Sequence, residues 1–312
     1  GTGKTVNITS SYSGADVNNY SVTDQSSTTA DISAKALTAT ASTSNKTYDG
    51  GTTASTTLTF TGLVGSETLG QTVGSTFDNK NVGSNKTVTV NSITLSDGSG
   101  LASNYSISAG QTTTADITAK SLTVSGITAS NKIYDGNTVA TLDPIGVTYS
   151  GIVPGDSFAG SFSGSFSDKN IGTGKTVTIT SSYSGTDVSN YTVTDQSSTT
   201  ANITSRPLDV TGITVFGLTV NNKEYDGTVT APLKTDNISY SGLVDGDDFT
   251  GSYSGVFANA NVGNNKTVTI TSIYSGADAG NYTVTDQSTT TGNIVPKVLT
   301  ATASASNKTY NA

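Results

Sequence analysis

The chain has no histidine, cysteine, methionine or tryptophan, and only 12% of its 312 residues are charged. Without histidine there is no imidazole base and no nitrogen ligand for a metal. Without cysteine there is no thiolate nucleophile, zinc or iron–sulfur site, or disulfide. Carboxylates, Lys, Tyr, Ser and Thr are the only chemistry left. Glutamate occurs only at Glu67 and Glu224, in non-equivalent places, so the paired carboxylates of glycoside hydrolysis are not expected. The chain reads as a non-enzyme that needs no cofactor and no metal.

Basic residues are also scarce. The 15 Lys and Arg stand singly in a chain of net charge −8, which argues against a nucleic-acid partner, since phosphate binding needs clustered cations. No apolar run approaches the roughly 20 residues that span a bilayer, so no membrane insertion is expected. The first ten residues have neither a basic nor an apolar segment of a signal peptide. Absence of cysteine suits a protein exported unfolded by a bacterium. What is present is glycine, 34 of them, and hydrophobic residues dominated by Val, Ile and Tyr among many Thr, which are strand formers.

The sequence repeats itself. Asn45-Lys46-Thr47-Tyr48-Asp49-Gly50 returns as Asn131-Lys132-Ile133-Tyr134-Asp135-Gly136 and as Asn222-Lys223-Glu224-Tyr225-Asp226-Gly227. A fourth copy starts at Asn307 and departs from the pattern at Tyr310-Asn311-Ala312. Lys-Thr-Val recurs at Lys4, Lys86, Lys175 and Lys266, and Asn-Tyr at Tyr20, Tyr105, Tyr191 and Tyr282. Residues 1–34 match 172–205 at a constant offset of 171. The organisation expected is therefore a partial repeat at 1–34, full repeats at 35–119, 120–205 and 206–296, and the start of another at 297–312. Each junction carries Lys or Arg before a strand start (Lys35, Lys120, Arg206, Lys297), and Pro207 and Pro296 stiffen two of them.

Within a repeat, apolar residues alternate with Thr or Ser at period two, and no stretch shows helical spacing. For 120–205 this predicts strands near 121–128, 138–142, 146–151, 157–166, 174–183, 190–195 and 199–204. The expected core is Leu122, Val124, Tyr134, Val139, Val147, Phe158, Phe162, Phe166, Val177, Ile179, Tyr191, Val193 and Ile203. An all-β tandem array of small immunoglobulin-like sandwiches stacked end to end accommodates this count, with elongated β-grasp-like units as the alternative.

Four features invite a functional reading. Gly172-Thr173-Gly174-Lys175-Thr176 resembles the end of a phosphate-binding loop, but the glycine required five positions earlier is Lys169 and a strand follows. The Tyr-Asp-Gly triplets could supply oxygen ligands to calcium, yet Asp-Gly is turn chemistry, and the tyrosine before it can pack while its hydroxyl caps a nearby backbone group. Asp245, Asp247 and Asp248 form the densest acidic cluster. Its counterparts are Gly65-Ser66-Glu67 and Pro154-Gly155-Asp156, so it is expected to be a solvated turn and not a feature of every repeat. Lysines beside asparagines raise a Lys–Asn isopeptide link, but Lys46, Lys132 and Lys223 sit at turn-like positions where exposure is expected. The residues singled out are a structural signature: Tyr48, Asp49 and Gly50, Tyr134, Asp135 and Gly136, Tyr225, Asp226 and Gly227, with Tyr20, Tyr105, Tyr191 and Tyr282.

Asn-Lys-x-Tyr-Asp-Gly is followed in each repeat by a Gly-rich apolar turn (Gly62 to Gly65, Gly151 to Gly155, Gly242 to Gly246). Asn-Val/Ile-Gly (Asn81-Val82-Gly83, Asn170-Ile171-Gly172, Asn261-Val262-Gly263) and Asn-Tyr come next. This combination resembles the YDG-type and related MBG-type repeats of large bacterial surface and secreted proteins, including filamentous-haemagglutinin-like adhesins exported by two-partner secretion. The resemblance implies an extracellular or cell-surface stalk, adhesive fibre or biofilm matrix scaffold, and supplies no catalytic residue. The partners it admits are neighbouring repeats of the same chain, copies of the chain in a fibre, and surface glycans or matrix. The alternative function is a module holding a glycan or host ligand weakly in each repeat through loop tyrosines.

Overall fold

The computed structural model describes residues 1–212, 214–215 and 222–310; part of the third repeat, and Asn311 and Ala312 of the fourth copy, lie outside them. The protein is all-β. Among the described residues there is no α-helix, only four 3-10 turns of three residues each: Val17–Asn19, Ala102–Asn104, Val188–Asn190 and Ala279–Asn281. Each delivers the chain into the tyrosine of an Asn-Tyr pair.

The chain forms two compact units, and their division passes through the second repeat. Unit 1 comprises residues 1–124, 148–160 and 183–195; unit 2 comprises 125–147, 161–182 and 196–312. Each unit therefore contains the meeting of two consecutive repeats, the first with the second or the second with the third.

A five-stranded sheet, most of whose residues belong to unit 2, runs in the order Lys132–Ile133, Ser198–Thr204, Gly172–Ser184, Ala159–Phe166, Val139–Ala140. The third repeat repeats it as Asn222–Glu224, Thr289–Val295, Gly263–Ser275, Thr250–Phe257, Thr230–Ala231. These sheets are mixed: the first two strands run parallel, and the remaining pairs given by register run antiparallel. A three-stranded sheet of Ser239–Ser241, Arg206–Thr211 and Tyr282–Thr285 accompanies the second. Unit 1 holds the equivalent four-stranded sheet of repeat 1, ordered Lys46–Thr47, Thr112–Thr118, Gly83–Asp97, Leu69–Phe77. It also holds the three-stranded sheet Thr148–Ser150, Lys120–Ser125, Tyr191–Thr194.

Leu122, Val124, Tyr134, Phe166, Val177, Ile179, Tyr191 and Ile203 are buried as the alternation predicts, while Val147, Phe158, Phe162 and Val193 are half-buried. Val139 is 69% exposed, against expectation, and its neighbour Ala140 is buried. The reason is register. Ala140 lies opposite Gly164, and Leu142, on the same face, fills the space above that glycine, where a Cβ would come within 2.8 Å of Leu142 Cδ2. A period-two segment offers two faces, and the larger Leu142 decided which one turned inward. The predicted strand 121–128 breaks at Gly126 into Lys120–Ser125 and Thr128–Ala129, and the two-residue strand Lys132–Ile133 is too short to show a period.

The phosphate-loop lookalike is a β-bulge. The register of Gly172–Ser184 against Ser198–Thr204 shifts between Gly172 and Lys175, and Gly174 sits at φ +60° with its N–H donated to Asn202 Oδ1. The equivalent positions hold Asn85 at φ +51° and Asn265 at φ +50°, the side-chain type that best tolerates this conformation after glycine. Gly174→Asn is accordingly expected to leave the melting temperature nearly unchanged, whereas Gly174→Val should cost about 1–2 kcal/mol by urea unfolding.

Candidate functional site

The signature begins with a stapled turn. In Asn-Lys-x-Tyr-Asp-Gly the aspartate accepts the backbone N–H two residues on: Gly51 to Asp49 at 2.9 Å, Asn137 to Asp135 at 3.2 Å, Thr228 to Asp226 at 2.8 Å. The lysine three residues earlier pairs with the same carboxylate, at 2.7 Å for Lys46–Asp49, 2.6 Å for Lys132–Asp135 and 2.8 Å for Lys223–Asp226. These lysines are not the exposed groups expected from the sequence. Lys223 is 8% exposed, and Lys46 and Lys132 lie over the Phe77 and Phe166 rings at 5.6 Å. Their ammonium groups bind the turn's carbonyls, including Gly51 and Asn137, both at 2.8 Å, so the stems are held along the core rather than in water.

The stapled turn aims its tyrosine out of its own repeat. Tyr48 is 1% exposed, and its hydroxyl donates to Asp156 Oδ2 of the next repeat at 2.8 Å. Tyr134 is 0% exposed and donates to Asp247 Oδ2, also at 2.8 Å. The expected role of capping a nearby backbone group belongs instead to the Asn-Tyr tyrosine. Tyr191 accepts the Val153 N–H at 2.9 Å and donates to Asp156 at 2.5 Å; Tyr282 accepts the Val244 N–H at 2.9 Å and donates to Asp247 at 2.5 Å. The two tyrosines of each site meet edge-on, with centroids 5.6 Å apart in both copies.

A lysine from the loop before Asn-Val/Ile-Gly completes each network. Lys80 reaches Asp187 at 2.7 Å and Asp156 at 3.2 Å; Lys169 reaches Asp278 at 2.7 Å and Asp247 at 3.1 Å. Both ammonium groups also stand 5.9 Å from the ring centroid of their repeat's signature tyrosine. The asparagine of Asn-Tyr closes the other side. Asn190 Oδ1 accepts the Val82 N–H at 2.9 Å, and Asn281 Oδ1 accepts the Ile171 N–H at 3.0 Å. Asn190 and Asn281 stand in glycosylation sequons but are buried, which removes them as acceptors.

The motif's glycine belongs to the same contact. Gly50 and Gly136 both have φ +80°, and a Cβ on either would lie 2.8 Å from a valine of the following repeat, Val153 or Val244. Gly227 has φ +81°, and a Cβ there would meet nothing within 4 Å among the described residues. Gly136→Ala is expected to cost about 1 kcal/mol more than Gly227→Ala in thermal unfolding of the whole chain, because only the first adds a clash to the backbone strain. Equal losses would mean that the glycine serves only its own turn.

The acidic cluster at 245–248 was expected to be a solvated turn absent from other repeats; it is neither at its key position. Asp247 has a side chain 3% exposed, and Glu67, Asp156 and Asp247 occupy one recurring place, each bound by an Asn-Tyr hydroxyl. Two of the remaining signature tyrosines lie at the surface: Tyr225 is 41% exposed and Tyr20 is 74% exposed. Tyr105 is buried on Glu67. Among the described residues no group of three or more acids is placed to hold a metal.

The electrostatics fix a pH window. Lys80 holds the Asp187 carboxyl below its ordinary value, and Lys169 does the same for Asp278. Burial opposes ionisation of Asp156, but hydrogen bonds from Tyr191 and Tyr48 and from Lys80 outweigh it and lower its pKa as well. Tyr191 and Tyr282 are pushed up to about 12 by burial and then by the carboxylate each faces. Lys80 and Lys169 are raised, first by Asp187 and Asp278. Depressed carboxylates contribute above their unfolded pKa near 4, and that contribution is lost as pH falls through the folded value. Raised phenols and ammoniums contribute fully below about pH 10, and this is lost on rising towards their folded values. With no histidine, the thermal midpoint is expected to be flat from roughly pH 5 to 9 and to fall on both sides. A step near pH 6 to 7 would contradict these assignments.

The fold and site together define a tandem-repeat protein whose signature residues clamp the first repeat to the second and the second to the third. The model of the YDG domain matches residues 33–115, 118–201 and 209–291, and the chain belongs to this family. No curated protein and no solved structure matches it.

Proposed function

We propose that the chain is a non-catalytic repeat region of a bacterial extracellular adhesin or fibre, acting as a semi-rigid stalk or matrix scaffold. The observation that carries this reading is the convergence of Tyr-Asp-Gly, Asn-Val/Ile-Gly and Asn-Tyr on one repeat-to-repeat clamp, built twice with the same partners. Side chains able to contact a ligand, among them Tyr48, Tyr134 and Asp247, are instead buried against the neighbouring repeat. Clamps in which half-exposed lysines pair with buried carboxylates and tyrosines pack edge-on resist bending, which suits reach. The cell-surface setting and two-partner export rest on the resemblance of the motifs to those of surface proteins.

The finer architecture of immunoglobulin-like sandwiches, stacked end to end, is part of this proposal. It is supported in repeat 3, where Val210 of Arg206–Thr211 and Ile270 of Gly263–Ser275 come from different sheets and share one buried cluster. An experimental structure with those strands in one sheet would exclude it. For the function, small-angle scattering and glycan-array binding on chains of two, three and four repeats are the test. The stalk reading expects a maximum dimension growing linearly with repeat number and no saturable binding. A freely jointed ensemble, or strong binding by each repeat, would overturn it in favour of the ligand-binding module.

A further inference from the structure

The clamp leaves one motif residue unused, the asparagine that opens Asn-Lys-x-Tyr-Asp-Gly. Asn45 Oδ1 accepts the Asp116 N–H at 2.7 Å, Asn131 Oδ1 accepts the Asn202 N–H at 2.7 Å, and Asn293 Nδ2 donates to Asn222 Oδ1 at 2.6 Å. Each bond stays within one repeat and ties its opening segment to its closing strand. The strands beside these asparagines run parallel: 46–47 pair with 117–118, 132–133 with 203–204, and 222–224 with 293–295. The start of each repeat is joined to its closing segment a second time, again in parallel. There 35–36 pair with 105–106, 120–123 with 191–194, and 206–209 with 282–285.

Direction decides what such a seam does under tension. When a chain is pulled from its two ends, the earlier strand of a parallel pair is drawn back from its start and the later strand forward from its end. The two must slide past one another, so their hydrogen bonds are strained together, whereas a hairpin pulled at its open end parts one bond at a time. Tension also passes directly between repeats, because only Ala119 stands between Thr112–Thr118 and Lys120–Ser125, and only Ser205 between Ser198–Thr204 and Arg206–Thr211. We propose that each repeat is a tension-bearing module, held against a pull along the chain by the parallel seams between its opening and closing segments, and that the protein serves as a tether under mechanical force. The motif asparagine is a seam residue. This goes beyond the stalk reading, which concerns reach and bending, and does not rest on it: an array that bends freely or binds ligand would carry tension through the same seams.

The chain has no cysteine, so introduced pairs fix where force is applied. Single-molecule force spectroscopy of the full chain compares two pairs in repeat 3, which lies wholly in unit 2. Pro207→Cys with Lys297→Cys pulls from entry to exit, and Pro207→Cys with Thr283→Cys pulls apart two residues that stand abreast. The unfolding force is expected to be about twofold higher in the first geometry, because forced unfolding follows the unfolding rate and bonds strained together must fail together. The same contrast is expected in repeat 1, wholly in unit 1, between Ala36→Cys with Thr118→Cys and Ala36→Cys with Ser106→Cys. Every attachment residue is exposed, unchanged melting curves are the control, and the second repeat keeps the comparison available where a variant of the first does not fold. Equal forces in the two geometries, or a higher force for the abreast pair, would overturn the proposal.

Discussion

Asp247→Ala is expected to destabilise the chain by about 3 kcal/mol in urea unfolding, with the same loss for Asp156→Ala, although both acids sit in loops. The Asp247 carboxylate collects three donors, the hydroxyls of Tyr134 and Tyr282 and the Lys169 ammonium. Removing it strands two buried phenols and leaves Lys169 with Asp278 alone. Asp245, two residues away and exposed, is the internal control, and Asp245→Ala should stay within about 0.5 kcal/mol of the parent. Equal effects at 245 and 247 would return the cluster to a solvated turn. The loss should appear as uncoupling of one repeat from the next, so the unfolding transition should broaden or split as well as shift, as expected of nearest-neighbour repeat arrays.

Tyr134→Ala should cost about 3–5 kcal/mol, and Tyr225→Ala less than about 1 kcal/mol, though the two tyrosines occupy identical positions in identical motifs. Tyr134 is fully buried, packed edge-on against Tyr282 and bonded to Asp247, whereas Tyr225 is 41% exposed. Thermal unfolding of both variants decides whether the signature tyrosine is a clamp between repeats or a core residue of its own repeat. The second account requires equal losses. Tyr134→Phe separates the hydroxyl from the ring and should retain most of the stability, losing about 1–2 kcal/mol.

The pieces of this clamp were visible in the sequence, but their association was not. Tyr48 and Asp156 lie 108 residues apart, and Tyr134 and Asp247 lie 113 apart, each pair straddling a repeat boundary. A reading made one repeat at a time assigns every marker to its own unit. One signal was available: an acid recurs after the Gly-rich turn at Glu67, Asp156 and Asp247. The change from Glu to Asp and the flanking Asp245 and Asp248 concealed it. The lysines at 80 and 169 were harder still, because the equivalent residue of repeat 3 is Ala260.

By itself the sequence determined what depends on local chemistry: strand-forming composition and period-two alternation, turns at Asp-Gly, and three copies of one pattern. Those choices follow from neighbours one to four residues away, whose sterics and hydrogen bonds act before the chain closes on itself. Only the tertiary structure decided which face of 138–142 turned inward, why lysines beside a turn are half-buried, and where the signature tyrosines point. Each was settled by a partner distant in sequence: Gly164 under Leu142, the Phe77 and Phe166 rings under Lys46 and Lys132, and a carboxylate in the next repeat. A buried hydroxyl or ammonium must find such a partner because leaving it unpaired away from water costs more than ordering the loop that supplies one.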